Sequence, residues 1–220
     1  MAPDVTRLVP EGTAPPCDIP ENIFKLTLET FLSGRRLDMS SIAAQAGIGR
    51  STLYRWVGSR DRLIGAVVWY LIRGAVVPAL SATVHLRGSE RVREAVGRSL
   101  RVLHQQPALR QLLDAEPECA LRVCASGRGP VQSRVVAVVE RLLAEEEQRG
   151  QFSPVIDRRT LALVIVRVGD SFLYADAIAG SEPDIDLAVD LIGRLVRSEW
   201  EGRAAASGQG TGEESAHRHP

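Results

Sequence analysis

The sequence predicts an all-α chain of about nine helices. Three observations carry that expectation. Apolar residues recur at helical spacing along most of the 220-residue chain, no alternating strand pattern of useful length interrupts them, and glycine, proline, serine and aspartate fall where helices would start or stop. With 45% hydrophobic and 25% charged residues the composition is that of a folded globular protein, long enough for one sizeable core or for a small module joined to a larger one.

Taken in order, residues 1–19 hold Pro3, Pro10, Pro15 and Pro16 and no amphipathic period, which predicts a mobile arm ending at Pro20. Ile23, Phe24, Thr27, Leu28 and Phe31 mark a first helix that Gly34 terminates. Ser40 or Ser41 is the expected cap of a short helix through Ala46, Gly47 supplies a turn, and a third short helix runs from about Arg50 to Trp56. Ser59 caps the next, with Asp61 at its positive end and Leu63, Val67, Tyr70 and Leu71 on its buried face. Ser89 opens a helix through Val92, Val96, Leu100 and Leu103, and Pro107 suits the first turn of its successor. Glu116–Gly129 reads as irregular. Val131–Gly150 is a long amphipathic helix, Thr160–Gly180 another, and Pro183 with Asp184 announces a last one through Trp200. Residues 204–220 are small and polar and read as a disordered tail. The expected organisation is therefore an arm (1–19), a small helical module (20–66), a larger helical unit (67–203) and the tail (204–220).

Cys17, Cys119 and Cys124 are odd in number and form no CxxC pair, so neither a disulfide framework nor a common zinc spacing is indicated, and a reducing cytoplasm is expected. The N-terminus lacks the pattern of an export signal, and the longest nearly apolar run, Leu63–Ile72, is short for a bilayer span. Oxidant sensing by Cys119 or Cys124 would require lowered thiol pKa values; the plainer reading is small buried side chains. His217 and His219 in the tail lack the closed set of ligands a metal site needs, so no metal and no cofactor are expected.

Formal net charge is zero, which alone argues against a polyanionic partner, but its distribution is uneven. Seven arginines between Arg35 and Arg73 face only Asp38 and Asp61, whereas Glu145, Glu146, Glu147, Asp184, Asp186 and Asp190 lie in the second half. The arginine-rich stretch contains two short helices joined by a tight turn, the arrangement that sets its second helix in the major groove of DNA. Arg50, Ser51, Thr52, Tyr54 and Arg55 are then candidates for groove or backbone contacts. Arginine can offer guanine two parallel hydrogen bonds, threonine can touch a thymine methyl, and a tyrosine hydroxyl can hold a phosphate.

The stretch Met39–Leu63, MSSIAAQAGIGRSTLYRWVGSRDRL, resembles the signature of the tetracycline-repressor (TetR) family. Ile42, Ala43, Ala46, Gly47, Thr52, Leu53, Tyr54, Ser59 and Leu63 match its pattern, and Ile48, Trp56, Arg60 and Asp61 match by chemical type. Gly49 stands where the family usually caps the recognition helix with serine, Ser51 where glycine is common, and Val57 where an aromatic is usual, so a weaker cap is expected. The resemblance implies phosphate contacts from Tyr54, Trp56 and Arg60, and from Ser40 or Ser41 at a helix N-terminus. It also implies base choice through Arg50, Ser51 and Arg55, and a homodimer through residues about 160–200 that matches two DNA half-sites. Arg149–Pro154, Ile165–Gly180 and Pro183–Ala188 further resemble the C-terminal domain of regulators of the quorum-sensing signal degradation (QsdR-like) type, which are associated with catabolism of lactone signals.

On a helical wheel Arg167, Asp170, Ser171 and Tyr174 fall within about 100° of one another, flanked by apolar residues. These four are the candidate ligand-binding residues, with Arg167 or Tyr174 donating to a carbonyl. An internal Arg167–Asp170 pair or a dimer seam are equally open readings. The expected function is a DNA-binding transcription regulator, a repressor released by a small, partly apolar effector such as an acylated lactone. The competing classes are an enzyme carrying a helix-turn-helix-like segment, for which no catalytic motif is present, and a structural DNA binder, for which so large a second unit is excessive.

Overall fold

The computed structural model describes residues 5–9, 19–127, 129, 131–150, 152–154 and 156–208. Among them there is no strand. Eleven α-helices follow one 3-10 turn (Val5–Leu8): α1 Glu21–Leu32, α2 Met39–Gln45, α3 Arg50–Val57, α4 Arg60–Ala82, α5 Gly88–His104, α6 Pro107–Ala115, α7 Pro117–Cys124, α8 Gln132–Gln148, α9 Arg158–Leu173, α10 Ala175–Ala179 and α11 Ile185–Gly208. The all-helical expectation holds. The two extra helices come from α7, which occupies the stretch read as irregular, and from a break at Tyr174 that splits the expected Thr160–Gly180 helix into α9 and α10. The periodicity of Pro117–Cys124 spans only two turns, too short a window to stand out, although Pro117 sits at the first helical position as a start signal should.

The organising element is α4. Leu63 to Trp69 are buried without interruption, so this helix is apolar all round and runs through the interior. It is long and apolar enough to cross a bilayer by length and composition, yet 67% of its most apolar stretch is buried within the protein. Around it pack α1, α3, α5 and α7, while α8 lies against α9, and α11 against α5 and α9. The boundary expected at residue 66/67 falls inside α4, so the N-terminal module and the larger unit share one helix instead of being joined by a linker.

Local signals explain most helix ends. Ser59 accepts a hydrogen bond from the Arg62 amide, Asp157 from Thr160 and Asp184 from Leu187, each an N-cap. The cap of α2 is Asp38, whose carboxylate accepts from the Ser41 amide at 2.7 Å; it displaces the expected Ser40 or Ser41 from that role. Gly49 makes no side-chain cap at α3, in line with the weaker cap expected there.

The N-terminal arm is not wholly detached. Val5, Leu8 and Val9 are buried against α4 and α8, and Arg7 pairs with Glu145. Residues 1–4 and 10–18 lie outside the described residues, as do 209–220 with His217 and His219, whereas residues 204–208, expected in the tail, continue α11. Glu146, one of three consecutive glutamates, is fully buried, where it accepts from Arg91, from Arg149 and from the Gly88 amide and ties the start of α5 to the end of α8.

Candidate nucleic-acid interface and effector cavity

Helices α2 and α3 form the expected pair. Gly47, at φ +67°, ends α2: its amide donates to the Ala44 carbonyl, and the Ile48 amide donates to that of Ala43. Ile42 and Ala43 on α2 and Leu53 and Val57 on α3 are buried, which orients α3 about its own axis. At 3.6 residues per turn, a helix that buries positions 53 and 57 turns 51 and 55 outward and sets 54 on its flank, while Arg50 is left open as the first residue of the helix. Arg50, Ser51, Tyr54 and Arg55 are indeed exposed, while Thr52 and Trp56 are half-buried at the margin, Trp56 packed against the core.

Among the described residues neither Arg50 nor Arg55 is committed to a carboxylate. This face can present two guanidiniums, two hydroxyl groups and an aromatic edge to a duplex.

The remaining DNA-contact candidates are placed differently. Ser40 is half-buried, and Ser41 is exposed with its hydroxyl accepting from Gln45. The Asp38 carboxylate already sits at the N-terminus of α2, so a phosphate arriving there meets a resident negative charge. Arg60 is engaged inside the protein: its Nε donates to the Leu37 carbonyl at 2.7 Å and its Nη2 to the Glu116 carboxylate at 2.6 Å.

The second feature is a cavity of about 80 Å³ in the larger unit, lined by α4, α5, α7, α8 and α9. Its walls are almost wholly apolar, with Trp69, Ile72, Leu100, Val138, Leu142 and Ile165 prominent. The polar groups are Ser99, Cys124, Gln132, Asp170 and Tyr174. Two of the four expected ligand residues, Asp170 and Tyr174, thus line it, and two do not. Arg167 is exposed and donates to the Ala125 carbonyl at 2.6 Å, and Ser171 is exposed and donates to the Arg167 carbonyl.

The sequence reading missed Gln132, whose amide donates to Asp170 Oδ2 at 3.0 Å. Its signal was a polar residue in the buried phase of the α8 period, in line with Val135, Val139 and Leu142.

Burial raises the Asp170 carboxyl to about 6, against the lowering effect of the Gln132 hydrogen bond and the Arg167 charge. Tyr174 is buried beside the Cys124 thiol; burial holds the phenol well above its ordinary value and pushes the thiol up to about 12. Cys119 is raised as well, again by burial, so neither thiol meets the condition for oxidant sensing.

Residues 87–197 match the family described as tetracycline-repressor-like, C-terminal domain. Among solved structures, the TetR-family transcriptional repressor QsdR of R. erythropolis is 30% identical, with a TM-score of 0.73 over 80% of this chain and 92% of that one. The TetR-family repressor AlkX of a Dietzia strain is 24% identical (TM-score 0.56, covering 81% and 93%), and FadR of Bacillus subtilis, solved with stearoyl-CoA, is 14% identical (TM-score 0.52, covering 80% and 96%). These two show the fold alone. No curated protein matches the sequence. With an exposed helix-turn-helix face, an apolar cavity in the larger unit and the family domain spanning residues 87–197, the chain belongs to the TetR family of ligand-responsive, DNA-binding transcriptional regulators.

Proposed function

We propose that this protein is a homodimeric cytoplasmic repressor of the QsdR-like type, released from its operator by a neutral amphiphile such as an acylated lactone. The observation that carries the effector class is the make-up of the cavity. Among the described residues, its walls include a carboxyl group and no arginine, lysine or histidine. An anionic effector would bring a second negative charge beside Asp170 in apolar surroundings, at high desolvation cost. A lactone can instead accept from the Tyr174 hydroxyl or the Gln132 amide, and an acyl amide can donate to Asp170, while each buried methylene contributes about 0.8 kcal/mol. The stearoyl-CoA bound by the Bacillus subtilis relative is a different chemistry, consistent with that protein's low identity.

A cavity of about 80 Å³ is far below the 300–1,000 Å³ typical of ligand pockets. Occupation must therefore part the walls, and an effector that prefers the expanded conformation shifts the population away from the DNA-binding one. On the DNA side, Arg50, Ser51, Thr52, Tyr54 and Arg55 read the operator, with Ser40, Ser41 and Trp56 at its backbone. Arg60 joins them only if it leaves Glu116. The test is a footprint on the DNA flanking its gene, repeated with acyl lactones of increasing chain length and with the matching carboxylic acids. One short protected site, lost with the lactones and kept with the acids, supports the reading. Coating of unrelated duplexes would indicate a structural binder, and release by the acids alone would overturn the effector class.

A further inference from the structure

Helix α7 touches both functional regions. At its C-terminal end Cys124 lies in the cavity wall with Tyr174, and the next residue, Ala125, accepts from Arg167 of α9. Along its length it holds the first turn of α4 through two ion pairs of opposite sense, one from Glu116 just ahead of its start and one from Arg122 in its last turn. Arg60 Nη2 donates to Glu116 Oε1 at 2.6 Å, and Arg122 donates to Asp61 through Nε at 2.6 Å and Nη2 at 3.2 Å. The Cys119 thiol lies between the pairs, accepting from Arg60 Nη1 at 3.5 Å and donating to Asp61 Oδ1 at 3.8 Å.

Two residues, Gly58 and Ser59, separate this turn from the reading helix α3, and Arg60 also bonds the Leu37 carbonyl just ahead of α2. The clasp therefore grips the reading module at both of its ends. Positive Arg60 and negative Asp61 on α4 meet negative Glu116 and positive Arg122 on or beside α7, so a slipped register would set like charges against each other.

We propose that α7 carries effector occupancy to the DNA-reading module, with Glu116 and Arg122 as the positioning residues that clasp α4. This rests on the reading of the cavity as the effector site. A ligand that parts the cavity walls displaces Cys124, an eight-residue helix moves as one piece, and the clasp converts that movement into reorientation of Arg60 and of the helices it holds. The Arg122–Asp61 pair is partly exposed, so its loss should spare the fold.

The experiment measures operator affinity with and without a saturating acyl homoserine lactone, for wild type and for Glu116→Gln, Arg122→Ala and Arg122→Lys. Lactone affinity of the free proteins is measured by calorimetry. Wild type should lose at least about 5-fold in operator affinity on saturation, the usual lower range of allosteric coupling. Glu116→Gln and Arg122→Ala should bind lactone as wild type does, yet lose less than about 2-fold, and Arg122→Lys should restore most of the response.

A second arm needs no ligand: Ser99→Phe or Val135→Phe, which fill the cavity from α5 or α8, are combined with each clasp variant. Filling should weaken operator binding in the wild-type background and not in the clasp variants. Equal weakening in both backgrounds, or none in either, overturns the proposal. If lactone fails to bind while the filling arm behaves as expected, the lactone assignment falls and the role of α7 stands.

Discussion

Tyr54 and Arg55 show how a single side chain's function depends on which way its helix is turned. Both are exposed because Leu53 and Val57 are buried, and the same apolar pair that anchors α3 sets the reading face. Replacing Tyr54 or Arg55 by alanine should weaken operator binding by about 1–3 kcal/mol with folding intact, read by anisotropy beside a thermal melt; unchanged binding in both would remove them from the interface. Asp170 makes the opposite case, a charge-bearing group inside an apolar wall. Its folded pKa, about 6, stands above the ordinary 3.8, so the folded state holds the proton more tightly than the unfolded chain. Its contribution to stability is complete below about pH 4 and is lost as pH rises through about 6. Asp170→Asn should therefore flatten the stability profile across that window, and an unchanged slope in denaturation measured from pH 4 to 7 would mean the carboxyl is not buried as described.

At the scale of elements, α9, α10 and α11 leave apolar residues in water: Leu163 is 41% exposed, Ile178 55%, Leu187 46% and Leu191 42%. The helical wheel sets apolar residues on both flanks of the α9 polar stripe; within one chain the flank with Leu163 lies open. An apolar face of this kind on two neighbouring helices suits a four-helix bundle with a symmetry mate, and two-fold symmetry would match a pair of DNA half-sites. Leu163→Asp combined with Leu191→Asp should shift the protein from dimer to monomer in light scattering at micromolar concentration, with helical content kept. A dimer that persists would place the interface elsewhere.

Across the whole molecule, the buried ionic cluster and the proposed α4–α7 clasp are expected to serve different ends, stability and signalling. The buried Arg91–Glu146 pair, with Arg149 and the Gly88 amide, joins α5 to α8 at the far side of the cavity. Removing the carboxylate by Glu146→Ala leaves Arg91, 1% exposed, without its buried counter-charge. Breaking such a pair costs about 3–5 kcal/mol, which chemical denaturation would register; a loss below about 1 kcal/mol would mean that water reaches the site. The α4–α7 clasp is more exposed, and its expected effect lies in the response to effector, with little change in the melt.

The helical class, the helix-turn-helix and the side of α3 that faces outward were all legible from residue order, because each depends on local periodicity, on a left-handed turn at Gly47 and on a short motif. Even Gln132 and Asp170 carried a sequence signal, as polar residues in buried phases of their helices. Tertiary structure decided what long-range contact decides. It turned Arg167 out of the cavity to the Ala125 carbonyl, took Arg60 from its expected phosphate to Glu116 and buried Glu146 inside an acidic run. In each case a long or charged side chain chose a partner at least three residues away, and Arg60 one 56 residues away, by desolvation and charge complementarity. Periodicity says which side of a helix is inward; it does not say which charge from another helix will be waiting there.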